Sequence, residues 1–129
     1  MKEIQKAVIK KGDKFLITLR SPQAAYFPKH WDLPGGKLEP NEDRLAGITR
    51  EVKEETDLDI VPLKVIGVYE FDLDDQGQNT HRFTLYSTEV KSDKIKLSPE
   101  HTDYRWATKE EVLQLPIEPY FKPFFVDNP

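Results

Sequence analysis

Only one stretch of this chain, Glu42 to Thr56, carries the strong periodicity of an amphipathic helix. Leu45, Ile48, Thr49 and Val52 recur at i, i+3, i+4 and i+7, the spacing of one buried stripe. Most other long patterned segments alternate like strands. A doubly wound parallel sheet needs a helix between successive strands, and the chain lacks them. The pattern therefore predicts α+β, a mixed β-sheet with few helices. At 129 residues, positions 1–129 make one domain.

The strand readings follow from alternation and turn chemistry. Ile4 to Lys10 and Phe15 to Leu19 flank Gly12-Asp13, which predicts an opening hairpin. Ser21 to Lys37 reads as a long loop, rich in Pro and Gly and carrying the aromatics Tyr26, Phe27 and Trp31. Leu63 to Leu73 and Thr80 to Val90 read as two strands of a hairpin turning across Asp74 to Asn79, and a short strand is expected at Tyr104-Arg105-Trp106. Thr108 and Glu111 form a capping box for a short helix over Lys109 to Leu115, which Pro116 ends. The aromatic tail from Pro119 to Phe125 is expected to pack back over the sheet.

Composition narrows the function. With 19 Lys and Arg against 23 Asp and Glu, the net charge is −4, so no broad basic field holds a nucleic-acid polymer. The absence of cysteine removes disulfides, thiolate metal sites and thiol nucleophiles. No secretory leader is legible after Met1, and no apolar run reaches the length of a membrane span. The expectation is a cytoplasmic protein without membrane partners, monomer or homodimer. His30, His81 and His101 are scattered and show no ligand spacing, so a zinc site is not expected. Gly35-Gly36-Lys37 is followed by Leu38, so it is not a P-loop.

The helix offers more. Glu51, Glu54 and Glu55 stand at i, i+3 and i+4, which places three carboxylates within one arc beside the apolar stripe. Like charges at this spacing repel, and three hard oxygen donors suit Mg²⁺ or Mn²⁺. A glycine-rich turn precedes them, and its backbone can approach a metal or phosphate closely.

From Gly36 to Leu58 the stretch resembles the Nudix box, the signature of hydrolases acting on nucleoside diphosphates linked to another group. The matching residues are Gly36, Glu42, Arg50, Glu51, Val52, Glu54, Glu55 and Leu58, and the approach Trp31-Asp32-Leu33-Pro34-Gly35-Gly36-Lys37 is similar too. Asn41 stands where the family often has Gly before its first Glu, and Asp57 stands in place of the final Gly. Asn and Asp are the non-Gly residues that best tolerate a left-handed backbone, so both changes fit the same turns.

The resemblance implies a Nudix fold, an α/β/α sandwich around the mixed sheet. It implies hydrolysis of a nucleoside diphosphate linked to another moiety, such as an NTP or dNTP, with Mg²⁺ or Mn²⁺. By the same resemblance, Glu51, Glu54 and Glu55 with the Gly35 carbonyl hold the metal, Arg50 orients the carboxylates, and Gly36 and Glu42 are structural in the motif. Glu100, six residues before Trp106, is a further ligand or base, or else a surface acid. The base is Glu51, Glu55 or Glu100.

Substrate contacts are expected from Arg20, Phe27 and Trp31. Arg20 either reaches the phosphates or is structural, and the aromatics either stack on a base or close the core. Ile117-Glu118-Pro119 has Ile where mutator-type members carry the Asn that reads oxidised guanine, which implies broad nucleotide preference. The competing function is a Nudix-fold binding or sensing module without hydrolysis; the intact acid cluster argues for the enzyme.

Overall fold

The computed structural model describes residues 1–73, 79–92 and 94–127. The chain begins with β1 (Lys2–Val8), β2 (Lys10–Lys11), β3 (Lys14–Arg20), β4 (Trp31–Asp32) and β5 (Gly35–Lys37). It continues with α1 (Arg44–Thr56), β6 (Ile60–Asp72), β7 (Thr80–Val90) and β8 (His101–Thr108). Helix α2 (Lys109–Gln114), a 3₁₀ turn (Pro119–Phe121) and α3 (Lys122–Asp127) complete it. The turn expected across Asp74 to Asn79 lies, except for Asn79, outside the described residues.

One sheet runs β5-β1-β7-β6. It is mixed, because β1 pairs parallel with β7 while β5 and β6 pair antiparallel with their neighbours. In the second, antiparallel sheet, β8 lies along the whole of β3, and β2 and β4 pair its two ends along the other edge. The opening hairpin is therefore shorter than the alternation implied: β2 and β3 form it around Gly12, while β1 joins the other sheet. The expected long loop contains β4 and β5. Two- and three-residue strands are below what alternation can register, and tertiary pairing alone creates them.

Alternation explains the layers. Val8, Ile17 and Leu85 belong to one core with Phe121 and Phe125, while their neighbours Ala7, Leu16 and Tyr86 belong to another with Ile48 and Val52. Successive strand residues face opposite sides, so both faces are covered. Helix α1 lies on one face, and α2, the 3₁₀ turn and α3 lie on the other. This is the expected α+β sandwich. The Thr108–Glu111 capping box is present, and the aromatic tail packs into the core. Among the described residues, no helix is long and apolar enough to cross a membrane.

Candidate active site

Helix α1 is fixed at both ends by local chemistry. The Asp43 side chain caps it by accepting from the Ala46 N–H at 3.0 Å. Asp57 ends it at φ 62°, its N–H returning to the Lys53 carbonyl at 2.9 Å. Asn41, ahead of the helix, has φ 63°. Both replaced glycines thus occupy left-handed positions, as their residue types allow.

The buried face of α1 differs from the expected stripe. Leu45 is 49% exposed, and the face is formed by Gly47, Ile48, Val52, Glu55 and Thr56. Gly47 is the reason: a Cβ there would press on Leu38 and on the Gln5 amide at 3.0–3.1 Å. The helix approaches β1 on its glycine side, and this rotation carries the Glu55 carboxylate inward.

The glycine pair in β5 receives these acids. Gly35 has φ 145°, and a Cβ on it would collide with the Gln5 carbonyl. Its N–H donates to Glu55 Oε2 at 2.9 Å. A Cβ on Gly36 would overlap the Glu51 carboxylate. Meanwhile the Lys96 and Ser98 N–H groups bond the Thr56 and Glu55 carbonyls, each at 2.9 Å. Those carbonyls belong to the last turn of α1, which has no partner inside the helix. The segment entering β8 is thereby tied to the helix end, and Glu100 and His101 follow it to the site. Ligand atoms of Glu55, Glu100 and His101 lie within 4.8 Å of one another.

The acids sit in unlike environments. Burial pushes Glu55 up to about 8, against the pull of Lys6 and the Gly35 N–H. Burial also raises Glu51, with Arg50 opposing it. Arg50 grips both oxygens of Glu42 at 2.7 and 3.0 Å, and reaches Glu51 at 3.1 Å and Glu54 at 3.2 Å. These bonds hold the Glu42 carboxyl down at about 2. Of the three helix acids, Glu51 and Glu55 line the cavity with Glu100, whereas Glu54 is exposed beside Arg50.

That cavity, about 320 Å³, has a second charged wall. Asp32 accepts from Lys6 at 2.8 Å, Arg20 at 3.3 Å and the Leu33 N–H at 2.7 Å, and also from the Tyr120 hydroxyl. Burial alone would raise Asp32, but Lys6, the Glu118 hydrogen bond and Arg20 hold it well below the usual carboxylate range. Glu118 lies beside it, its buried Oε2 without a hydrogen-bond partner among the described residues. Burial and the Asp32 charge raise Glu118 far above a normal carboxyl, so it stays protonated at neutral pH.

Lys6, Arg20, Gly35, Gly36 and Lys37 line the cavity. The aromatics divide between the two readings. Trp31 is a core residue, and neither it nor Phe27 lines the cavity; Tyr26 and Phe83 do. Tyr120 and Phe121 are buried, with Tyr120 stacked on Phe83 at 3.8 Å between centroids. Trp31 sits on β4, where the Ile117 bridge and the Pro116 carbonyl enclose it. Sequence reasoning missed Lys6, Asp32 and Glu118 as site residues. Asp32 and Glu118 had signals, since Asp32 stands in the stretch that approaches Gly35-Gly36 and Glu118 lies in Ile117-Glu118-Pro119; Lys6 gave none that spacing could expose.

The chain resembles known proteins over most of its length. The NUDIX domain profile matches residues 6–127. The mouse (Mus musculus) bis(5'-nucleosyl)-tetraphosphatase [asymmetrical] is 33% identical over 84% of this chain and 76% of its own length. CTP pyrophosphohydrolase of Escherichia coli (strain K12) is 28% identical over 92% and 84%. The crystal structure of a MutT protein from Methanosarcina mazei Go1 superposes with a TM-score of 0.87 at 31% identity, covering 97% of this chain and 90% of that one.

Proposed function

This chain belongs to the Nudix hydrolase family, and from that premise we propose that it cleaves a phosphoanhydride bond in a nucleoside triphosphate or deoxynucleoside triphosphate with a divalent cation. The observation that carries this reading is Glu55, a 5%-exposed carboxyl facing a cavity that also receives Glu51 and Glu100. A module that only binds nucleotides has no use for acids held so close together against their own repulsion.

The donor set fits a hard or borderline divalent ion. Its oxygens come from Glu51, Glu55 and Glu100, with Gly35 alongside and Glu54 one turn away beside Arg50. Such an ion, Mg²⁺ or Mn²⁺, neutralises phosphate charge and acidifies water. The chain's own residues do the rest. Arg50 fixes the carboxylates of Glu42, Glu51 and Glu54. Lys6, Arg20 and Lys37 line the cavity as cations for the phosphates, and the exposed Tyr26 in the same lining offers a ring face to a base. One carboxylate among Glu51, Glu55 and Glu100 takes the proton from the attacking water.

A dinucleoside tetraphosphate is the second reading, favoured by the 33% identity to the mouse tetraphosphatase. A panel of NTPs, dNTPs and dinucleoside tetraphosphates with Mg²⁺ or Mn²⁺, read as phosphate, pyrophosphate or mononucleotide release, separates the two. Release should vanish with a chelator and fall by roughly a hundredfold or more in Glu55→Gln. Nucleotide binding without cleavage under every cation would make the chain a sensing module instead.

A further inference from the structure

His101 has no role among the groups that bind phosphate or move the proton. It is 6% exposed, and among the described residues neither ring nitrogen has a hydrogen-bond partner. Buried polar groups are nearly always bonded, and leaving one unsatisfied is costly. This imidazole is not simply lost in the core, because a ligand atom of it lies within 4.8 Å of those of Glu55 and Glu100. A local irregularity in the fold puts it there. Pairing between β3 and β8 shifts register between Leu19 and Arg20, so that Leu19 faces Asp103 while Arg20 faces His101. Such an irregularity re-aims the side chain beside it: His101 is buried, while Thr102 and Asp103 are exposed.

The geometry points to His101 as a nitrogen ligand in the cation site, making with Glu55 and Glu100 a mixed donor set that favours borderline ions such as Co²⁺ and Ni²⁺ over Mg²⁺. This rests on the proposed function, in which Glu55 and Glu100 hold the ion. Carboxylate and water suit Mg²⁺, whereas imidazole shifts preference toward the later first-row metals. One cation would answer both anomalies of the site, the unpartnered imidazole and the crowded acids. Among the described residues His81 also has a buried Nδ1 without a partner and is not in the cluster, so it serves as the control.

The test is metal binding itself, measured on the full chain freed of metal. Calorimetric titration with Ni²⁺ and with Mg²⁺ gives the preference of the parent. In His101→Ala that preference should shrink by about tenfold or more, with Ni²⁺ affinity falling much further than Mg²⁺ affinity. A merely structural role would weaken both ions equally and would overturn the assignment. Pulsed EPR of bound Mn²⁺ in histidine-¹⁵N-labelled parent protein decides the point even if His101→Ala does not fold. Directly bound histidine nitrogen, retained in His81→Ala, supports the proposal; an all-oxygen sphere overturns it. Nucleotide hydrolysis with Mg²⁺ alongside an all-oxygen sphere would leave the enzyme reading standing without this ligand. A parent that neither binds cations nor hydrolyses any nucleotide would remove both.

Discussion

Two clusters of ionisable residues share one cavity and are built on opposite principles. Around Asp32, two cations, a hydroxyl and a backbone N–H converge on one carboxylate. Around Glu55, three acids gather, and among the described residues one backbone N–H, that of Gly35, bonds the buried one. In the first cluster the Asp32 charge is fully paired, and its partners Lys6 and Arg20 still line the cavity. The second is left short of positive charge, which is why the proposed cation is assigned to it. Stability is invested in one wall so that the other can remain unsatisfied.

Breaking the complete cluster should have the largest effect. Asp32→Ala leaves Lys6 buried without its partner, and a broken buried pair costs about 3–5 kcal/mol. Urea unfolding at neutral pH measures this. A loss below about 1 kcal/mol would mean the wall is not held as described.

The open cluster should respond in the opposite direction. In metal-free protein, the folded Glu55 carboxyl keeps its proton up to about 8, while the unfolded chain releases it near 4.5. The folded state then binds more protons than the unfolded state, so stability falls as pH rises between those values. Glu55→Gln removes this slope and is expected to gain on the order of 3 kcal/mol at pH 8. Unfolding at pH 5 and pH 8 compares the two proteins; parallel curves would refute the uncompensated carboxyl.

Cation addition sharpens the contrast. At a hundred times its dissociation constant, Mg²⁺ or Mn²⁺ should stabilise the parent by about 2.7 kcal/mol. Glu55→Gln should lose most of the rise in melting temperature, Asn41→Gly should keep it, and Glu54→Gln should keep more of it than Glu55→Gln. An equal loss in both acid variants would move Glu54 from Arg50 into the metal set.

The smallest effects test the frame that presents the acids. Asn41→Val and Asp57→Val place β-branched residues at φ near 60° and should each cost about 1–2 kcal/mol. Glycine at either site should stay within a few tenths. Thermal melts at one pH suffice, and a valine variant melting with the parent would contradict the left-handed turns.

Much of the fold is legible from local patterns. The strands Leu63 to Leu73 and Thr80 to Val90 come within a few residues of β6 and β7, and Thr108 with Glu111 marks the start of α2, because alternation and capping are local signals. The acid triplet, Arg50 and Gly36 are legible because their chemistry depends on fixed spacing along one loop and one helix. Trp31 is not, since an aromatic in a proline-rich loop reads the same whether it faces a ligand or the core.

The amino-acid sequence thus specifies a set of local devices: one helix, its left-handed ends, and three glutamates within an arc. Which of them act together is settled by packing. Gly47 turns the helix so that Glu55 goes inward and Leu45 outward. Backbone bonds from Lys96 and Ser98 bring Glu100 and His101 to an acid more than forty residues away. Lys6, Asp32 and Glu118 meet from three distant segments. Spacing encodes a face of one element, but a charge's environment is the sum over every element packed against it, and no single stretch of chain contains that sum.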